Sequence, residues 1–216
     1  MICSQKDKLS SLIVQLQGEI LAKGFTKITV ESSIANLALL GHSYDTRSFP
    51  ALPIDHDWGA AHPDHPQTLA EALLWKMGKW NVYKSFSSHY VNASSTPTET
   101  DVVFYGFAKH LKDLNNPIYD QHAIRALWAI DSSLNEDEQR KCRSILLRRD
   151  GKWKETTGGR NTIECYNLFT RRISELSKGE DKASKQNIDK LLMPLGQAIK
   201  KITDSYTDFA ALCAWI

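Results

Sequence analysis

The chain has 216 residues, 42% hydrophobic, 24% charged and 9% aromatic. That is enough to bury a core without disulfides or a metal staple, and the composition is that of an ordinary globular protein rather than a disordered or fibrous one. No uninterrupted apolar run reaches the roughly 20 residues of a membrane span, so no membrane partner is expected. The formal net charge of +2 is uneven along the chain: residues 1–139 carry −5, residues 140–172 carry +7, and residues 173–216 balance to zero.

The opening Met1-Ile-Cys-Ser-Gln-Lys lacks the basic-then-apolar order of a signal peptide, and a cytoplasmic location is expected. Cys3, Cys142, Cys165 and Cys213 are far apart with no Cys-x-x-Cys pair. This pattern suits reduced thiols better than a disulfide framework or a zinc knuckle.

Leu9, Leu12, Ile13, Leu16, Ile20 and Leu21 recur at helical spacing, and Lys23-Gly24 closes that segment. Lys27-Ile-Thr-Val30 alternates like a short strand, and a second apolar helix is expected from about Glu31 to Leu40, stopping at Gly41. From there to Pro66 four prolines predict a long ordered surface loop. Thr68 opens a strong helix with Leu69, Ala72, Leu73 and Met77 on one side. Ser94-Ser-Thr-Pro-Thr-Glu99 is a second start signal, and Val103, Phe104, Phe107, Ala108 and Leu111 are expected to be the buried stripe behind it. Asn115-Asn-Pro117 breaks that helix, and Asp120 begins another carrying Ile124, Leu127 and Trp128.

Ile163, Tyr166, Phe169, Ile173 and Leu176 make a further amphipathic stripe, and residues 177–184 a polar linker. Leu191, Leu192, Leu195, Ile199 and Ile202 make the last long stripe, which Pro194 is expected to kink or cut short. The terminal Phe209, Leu212, Trp215 and Ile216 are apolar enough to pack down. The fold class expected is all-α, organised as N-terminal helices and a loop over 1–62, a central helical lobe over 63–130, and a basic segment with C-terminal helices over 131–216. The first and last of these would pack together.

Chemistry concentrates at Asn116-Pro-Ile-Tyr-Asp-Gln-His-Ala-Ile-Arg-Ala-Leu127. A turn through a proline places an acid at the mouth of a helix. Asp120 there serves as an N-cap, contributing about 1 kcal/mol, or as a carboxylate that activates water or stabilises a cationic sugar as its bond to a base breaks. One group can do both, since the cap occupies a single oxygen.

Trp75 and Trp80 flank Lys76 and Lys79, a pairing that fits stacking on a flipped base with a lysine reaching phosphate, and equally fits a core helix with a solvated face. Tyr119, beside Asp120, has the same two readings. Arg140-Lys-Cys-Arg143, Arg148-Arg-Asp-Gly-Lys-Trp-Lys154 and Gly158-Gly-Arg160 form the basic stretch, with Trp153 interleaved. It suits a nucleic-acid backbone, through Arg148, Arg149, Lys152 and Arg160 above all, or an acidic protein partner. His56-Asp-Trp-Gly-Ala-Ala-His62-Pro-Asp-His65 is rich in potential ligands, but it lies in a proline-broken loop without a helical His pair or a cysteine. No metal and no cofactor is expected.

The run Pro117-Ile-Tyr-Asp-Gln-His-Ala-Ile-Arg-Ala-Leu127 resembles the segment of helix-hairpin-helix DNA glycosylases in which a V-D-T-H-x-x-R-V run carries the essential aspartate. Leu73-Leu-Trp-Lys-Met-Gly-Lys-Trp80 is similar to segments of small bacterial proteins grouped with 8-oxoguanine glycosylases, some associated with anti-phage defence. The resemblance covers roughly residues 64–130. It implies a two-lobed helical fold with Asp120 near the groove, His122 and Arg125 in the places of the following His and Arg, and DNA as partner. It also implies cleavage of the N-glycosidic bond of a modified purine, with Trp75, Trp80, Tyr119 and His122 as pocket candidates and Lys76 or Lys79 as candidate nucleophile or phosphate contact.

The chain departs from the family pattern in two places. Residues 97–109 hold no Gly-x-Gly, and Val102 stands about where bifunctional members carry a lysine. The implied chemistry is therefore single-step hydrolysis by Asp120. The alternatives are an inactive glycosylase fold that binds nucleic acid or serves as a subunit of a defence complex, and an enzyme acting on free nucleosides or nucleotides.

Overall fold

The structure, a computed structural model, describes residues 4–45, 66, 68–92, 94–154, 162–179 and 181–213. They are all-α. Ten helices follow one another among them: α1 Gln5–Lys23, α2 Lys27–Leu39, α3 Leu69–Lys76, α4 Trp80–Val91, α5 Val102–Lys112, α6 Gln121–Ile130, α7 Glu136–Leu146, α8 Thr162–Leu176, α9 Lys185–Ile202 and α10 Tyr206–Leu212. Extended pairing among the described residues is limited to isolated bridges. The proline-rich loop and its histidines (46–65), Gly158 to Arg160, and Trp215 with Ile216 lie outside the described residues.

Side-chain caps start most of these helices where the sequence places a hydroxyl or a short acid or amide. Ser4, Thr68, Asn135 and Ser205 each accept from the third backbone N–H of their helix while Asp7, Glu71, Glu138 and Asp208 reach back to the cap, each box contributing about 1 kcal/mol. Two boundaries differ from expectation. The Lys27–Val30 alternation is the first turn of α2, because Thr26 caps it by accepting from the Thr29 N–H at 3.2 Å. The start signal at 94–99 leads into α5 only at Val102: Asp101 turns back to accept from the Thr98 N–H at 2.6 Å, holding the intervening residues in a turn.

α6 is the axis of the core. Every residue from Ala123 to Ile130 is buried, and the helix packs against α9 most extensively, then against α7 and α1. α2 packs on α9, Leu9 of α1 and Leu212 of α10 belong to one buried cluster, and the Ser10 hydroxyl donates to the Leu212 carbonyl at 3.0 Å. α9 runs on through Pro194, so the proline does not cut the helix short. Pro194 cannot donate to the carbonyl of Lys190, but it sits in a run buried from Leu191 to Gly196, and packing on α6 and α2 outweighs the lost hydrogen bond. The C-terminal end of α6 is tied to α8 by an ion pair: Arg172 donates to Asp131 through Nε at 2.7 Å and Nη2 at 2.9 Å.

α3, α4 and α5 pack on one another in chain order, and α5 leans on α8. Of this unit only Val102 belongs to the main buried cluster. Its loop into α6, residues 113–120, therefore carries chain from the side unit to the centre of the core.

Candidate functional site

That loop is held residue by residue. The Asn116 side chain donates to the Asp113 carbonyl at 3.1 Å, and His110 Nδ1–H donates to the Asn116 carbonyl at 2.8 Å. The Ile118 N–H donates to Asp189 Oδ1 on α9 at 3.1 Å. The chain then reaches Asp120 in extended conformation, φ −146° and ψ 157°, and α6 begins.

Asp120 Oδ1 accepts the His122 N–H at 2.7 Å. The residue is half-buried, and its second oxygen has no hydrogen-bond partner among the described residues. The cap thus fixes the rotamer and leaves one oxygen uncommitted.

One turn further in, Arg125 is fully buried. Its Nη1 lies 3.0 Å from His122 Nδ1 and 3.3 Å from the Gly196 carbonyl, and its guanidinium lies 4.5 Å from the centre of the Trp153 ring. Nε and Nη2 have no hydrogen-bond partner among the described residues. Burial pulls the guanidinium pKa down to about 10, opposed by the negative charge of Asp120. A guanidinium only donates, so His122 Nδ1 accepts and the imidazole proton sits on Nε2. Burial also lowers the His122 pKa; Asp120 opposes this and Arg125 reinforces it. The net lowering favours the neutral imidazole, beside a carboxylate.

The site includes two groups that sequence reasoning missed. Tyr44, beyond the end of α2, is close enough to Asp189 and Asp120 for both to push its phenol pKa upward, after burial as the first cause. Asp189 is fully buried, with Oδ2 unpartnered and His110 Nδ1 at 3.7 Å. A signal for Asp189 was present, since it is the acid next to Ile188 and just before Leu191 in the apolar stripe of α9.

The other candidates are placed elsewhere. Tyr119 is buried, with Tyr166 edge-on at 5.1 Å and Phe169 at 5.8 Å, so it is core rather than a cleft wall. Trp80 is buried and stacks on Tyr83 at 5.7 Å. Trp75, Lys76 and Lys79 are exposed on the α3–α4 unit. Among the described residues, no hydrogen bond, ion pair or ring contact joins Trp75, Lys76, Lys79 or Trp80 to Asp120. The structure brings together Asp120, His122 and Arg125, and does not bring the tryptophans or lysines to them.

The basic stretch folds as a tight turn after α7. Arg148 N–H donates to the Lys152 carbonyl at 2.8 Å, Gly151 N–H donates to the Arg148 carbonyl at 3.0 Å, and Leu147 bridges to Trp153. Gly151 takes φ +78°, where a side chain would be strained. Arg148, Arg149 and Lys152 project at its tip, Arg148 towards Asp150 at 3.4 Å. Trp153 is not interleaved for stacking on a base. It is buried and donates Nε1–H to the Thr203 carbonyl at 2.7 Å.

Much of the +7 is locally compensated. Asp137 lies against Arg140 and Lys141, Glu138 against Arg171, and Asp131 against Arg172. Arg149 and Lys152 are the exposed cations of the turn without an acid partner among the described residues. Arg160 lies outside those residues. No group of three or more potential metal ligands occurs among them, and none of their helices is long and apolar enough to cross a membrane. Comparison of the chain with models of protein families, with curated proteins and with solved structures finds no match.

Proposed function

We propose that the protein hydrolyses the N-glycosidic bond of a modified purine of the 8-oxoguanine kind in DNA, with Asp120 as the working carboxylate and the two-lobed helical arrangement of the helix-hairpin-helix glycosylases as its fold. The observation that carries the reading is the division of labour at Asp120. One oxygen is locked by the cap of the most buried helix, and the other is uncommitted at a half-exposed position. Such a carboxylate is pre-organised for the positive charge that develops on the sugar, because it does not have to reorganise as the bond breaks. The C1′–N9 bond breaks with its electron pair leaving on the base, water oxygen bonds to C1′, and the water proton passes to Asp120 or to solvent. His122, neutral with its proton on Nε2, is the adjacent donor for the departing base. Lys76 and Lys79 sit on the other unit, which favours hydrolysis over a Schiff-base route.

Asp120→Asn is expected to lower release of 8-oxoguanine from a duplex by at least about 100-fold, with unfolding free energy unchanged within a few tenths of a kcal/mol because asparagine caps as well as aspartate. Asp120→Ala should in addition lose about 1 kcal/mol of stability. Wild-type protein that releases no base from a panel of purine lesions overturns the reading.

The second reading, a catalytically inactive nucleic-acid-binding subunit, is favoured by one observation: Trp75, Trp80 and Tyr119 do not gather around Asp120. Both readings assign DNA to the Arg148–Lys152 turn. Reversing Arg149 and Lys152 to Glu is expected to weaken duplex binding and reduce the slope of log affinity against log salt by roughly one for each phosphate interaction removed. Affinity in the wild type that does not change with salt would remove DNA as the partner.

A further inference from the structure

α3 turns its apolar face outward, and Phe107, of the stripe expected to be buried on α5, is 42% exposed. The one buried side chain of α3 is Glu71, 1% exposed, whereas Leu69, Leu73, Trp75 and Met77 are 90%, 60%, 58% and 60% exposed. Leu69, Leu73 and Met77 recur every four residues and form a single stripe. Leu74 adjoins it and lines a groove of about 380 Å³ whose remaining walls are Lys79, Val82, Tyr83, Phe86, Phe104 and Phe107 from α4, its cap and α5. Phe86 and Phe107 stack at 5.6 Å within it. A monomeric protein rarely leaves so continuous an apolar surface without a use for it.

Along α3 and α4 the accessible charge has one sign, and the acid at the start of α5, Asp101, is turned onto Ser85 and His89 of α4. Glu71 is the only acid between residues 69 and 91, and it is buried in the helix cap, where its carboxylate accepts the Thr68 N–H at 3.0 Å. The lysines of the two helices and of the cap between them are Lys76 and Lys79, both exposed, and Lys84, half-buried.

We propose that this face docks an acidic amphipathic helix of a partner protein. The proposal is independent of the Asp120 site. A helix presenting apolar side chains at i, i+3, i+4 and i+7 covers both the groove and the α3 stripe, and acids on its flanks meet the lysines. A small ligand would fill the groove and leave the stripe exposed. Nucleic acid would find walls of Leu, Val and Phe, with Lys79 as the one cationic group among the lining residues. A second copy docking face to face would bring the same lysines against themselves.

The probe is a fluorescein-labelled helical peptide of about 18 residues, or five turns, with Leu and Phe at those spacings and Glu elsewhere, titrated with the full chain and read by anisotropy. Saturable binding is expected, at least about tenfold weaker for a scrambled peptide of equal composition and for a version with every Glu changed to Lys. Leu73→Glu and Met77→Glu, both at exposed positions, should each weaken binding by a similar factor without shifting the melting temperature. Lys79→Glu should move preference towards the Lys peptide.

No saturable binding, equal binding of the scrambled peptide, or indifference to Leu73→Glu overturns the proposal. Displacement of the peptide by a single-stranded oligonucleotide assigns the face to nucleic acid instead. Self-association by sedimentation that is abolished in Leu73→Glu assigns it to a second copy.

Discussion

Gly196→Ala is expected to destabilise the protein by about 3 kcal/mol or more, although alanine is the better helix former by about 1 kcal/mol. A Cβ at position 196 would overlap the carbonyl carbon and oxygen of His122. That carbonyl belongs to the first turn of α6 and cannot rotate aside as a side chain would. The crossing of α6 and α9, the most extensive helix packing among the described residues, would have to open, and with it the hydrogen bond from Arg125 to the Gly196 carbonyl. The chain holds its own controls. A Cβ at Gly18, inside α1, meets nothing within 4 Å, so Gly18→Ala should raise stability by up to about 1 kcal/mol. Gly106, where the new atom would lie 3.0 Å from the Tyr119 Cβ, should fall between them. Urea unfolding midpoints at constant slope measure all three. A Gly196→Ala protein as stable as the parent would mean that the two helices are not packed this closely.

The all-α class and most of the stripes were legible because each buried face repeats at helical spacing, as in Leu9 to Ile20 or Leu191 to Ile199. Asp120 as the start of α6 was legible from the proline turn before it. The place of Lys27–Val30 was not: four residues cannot distinguish a strand from a first helical turn when the deciding interaction is the hydroxyl of Thr26. Pro194 does not end α9, because packing on the neighbouring helices recovers what proline costs an isolated helix. Among the site candidates, Tyr119, Trp80 and Trp153 are large amphipathic rings whose residue type suits a core and a stacking platform equally. Only their neighbours in space (Tyr166, Tyr83 and the Thr203 carbonyl) separate the two. Asp189 and Tyr44 join the Asp120 region across long stretches of sequence: the apolar stripe around Asp189 marks it as a buried acid, but no local pattern marks its meeting with Asp120.

Asp189→Asn is expected to stabilise the protein at pH 8 by up to about 4 kcal/mol and to have little effect near pH 4. Asp189 is fully buried, one oxygen accepts the Ile118 N–H, and the other has no hydrogen-bond partner among the described residues. Burial raises its pKa to about 7, against the lowering effects of that hydrogen bond and of Lys185. In the unfolded chain the group ionises near the ordinary aspartate value of about 3.9. Between these two values the native state holds a proton that the unfolded state has released. The stability contributed by Asp189 is therefore fully present below about pH 4, falls as pH rises, and is lost above about pH 7.

Asparagine keeps a carbonyl oxygen for the Ile118 N–H and places an uncharged group where Oδ2 stands, so it reproduces the protonated form at every pH. The difference in unfolding free energy between variant and parent, taken from pH 4 to pH 8, isolates this group from the other carboxylates, because both proteins share them. A difference that stays flat across that range would show that Asp189 does not titrate in it. The aspartate earns its place through the loop it ties down: the Ile118 hydrogen bond lies two residues before Asp120. If that bond positions Asp120, the neutral Asp189→Asn variant should preserve base release, and Asp189→Ala, which removes the acceptor, should impair it.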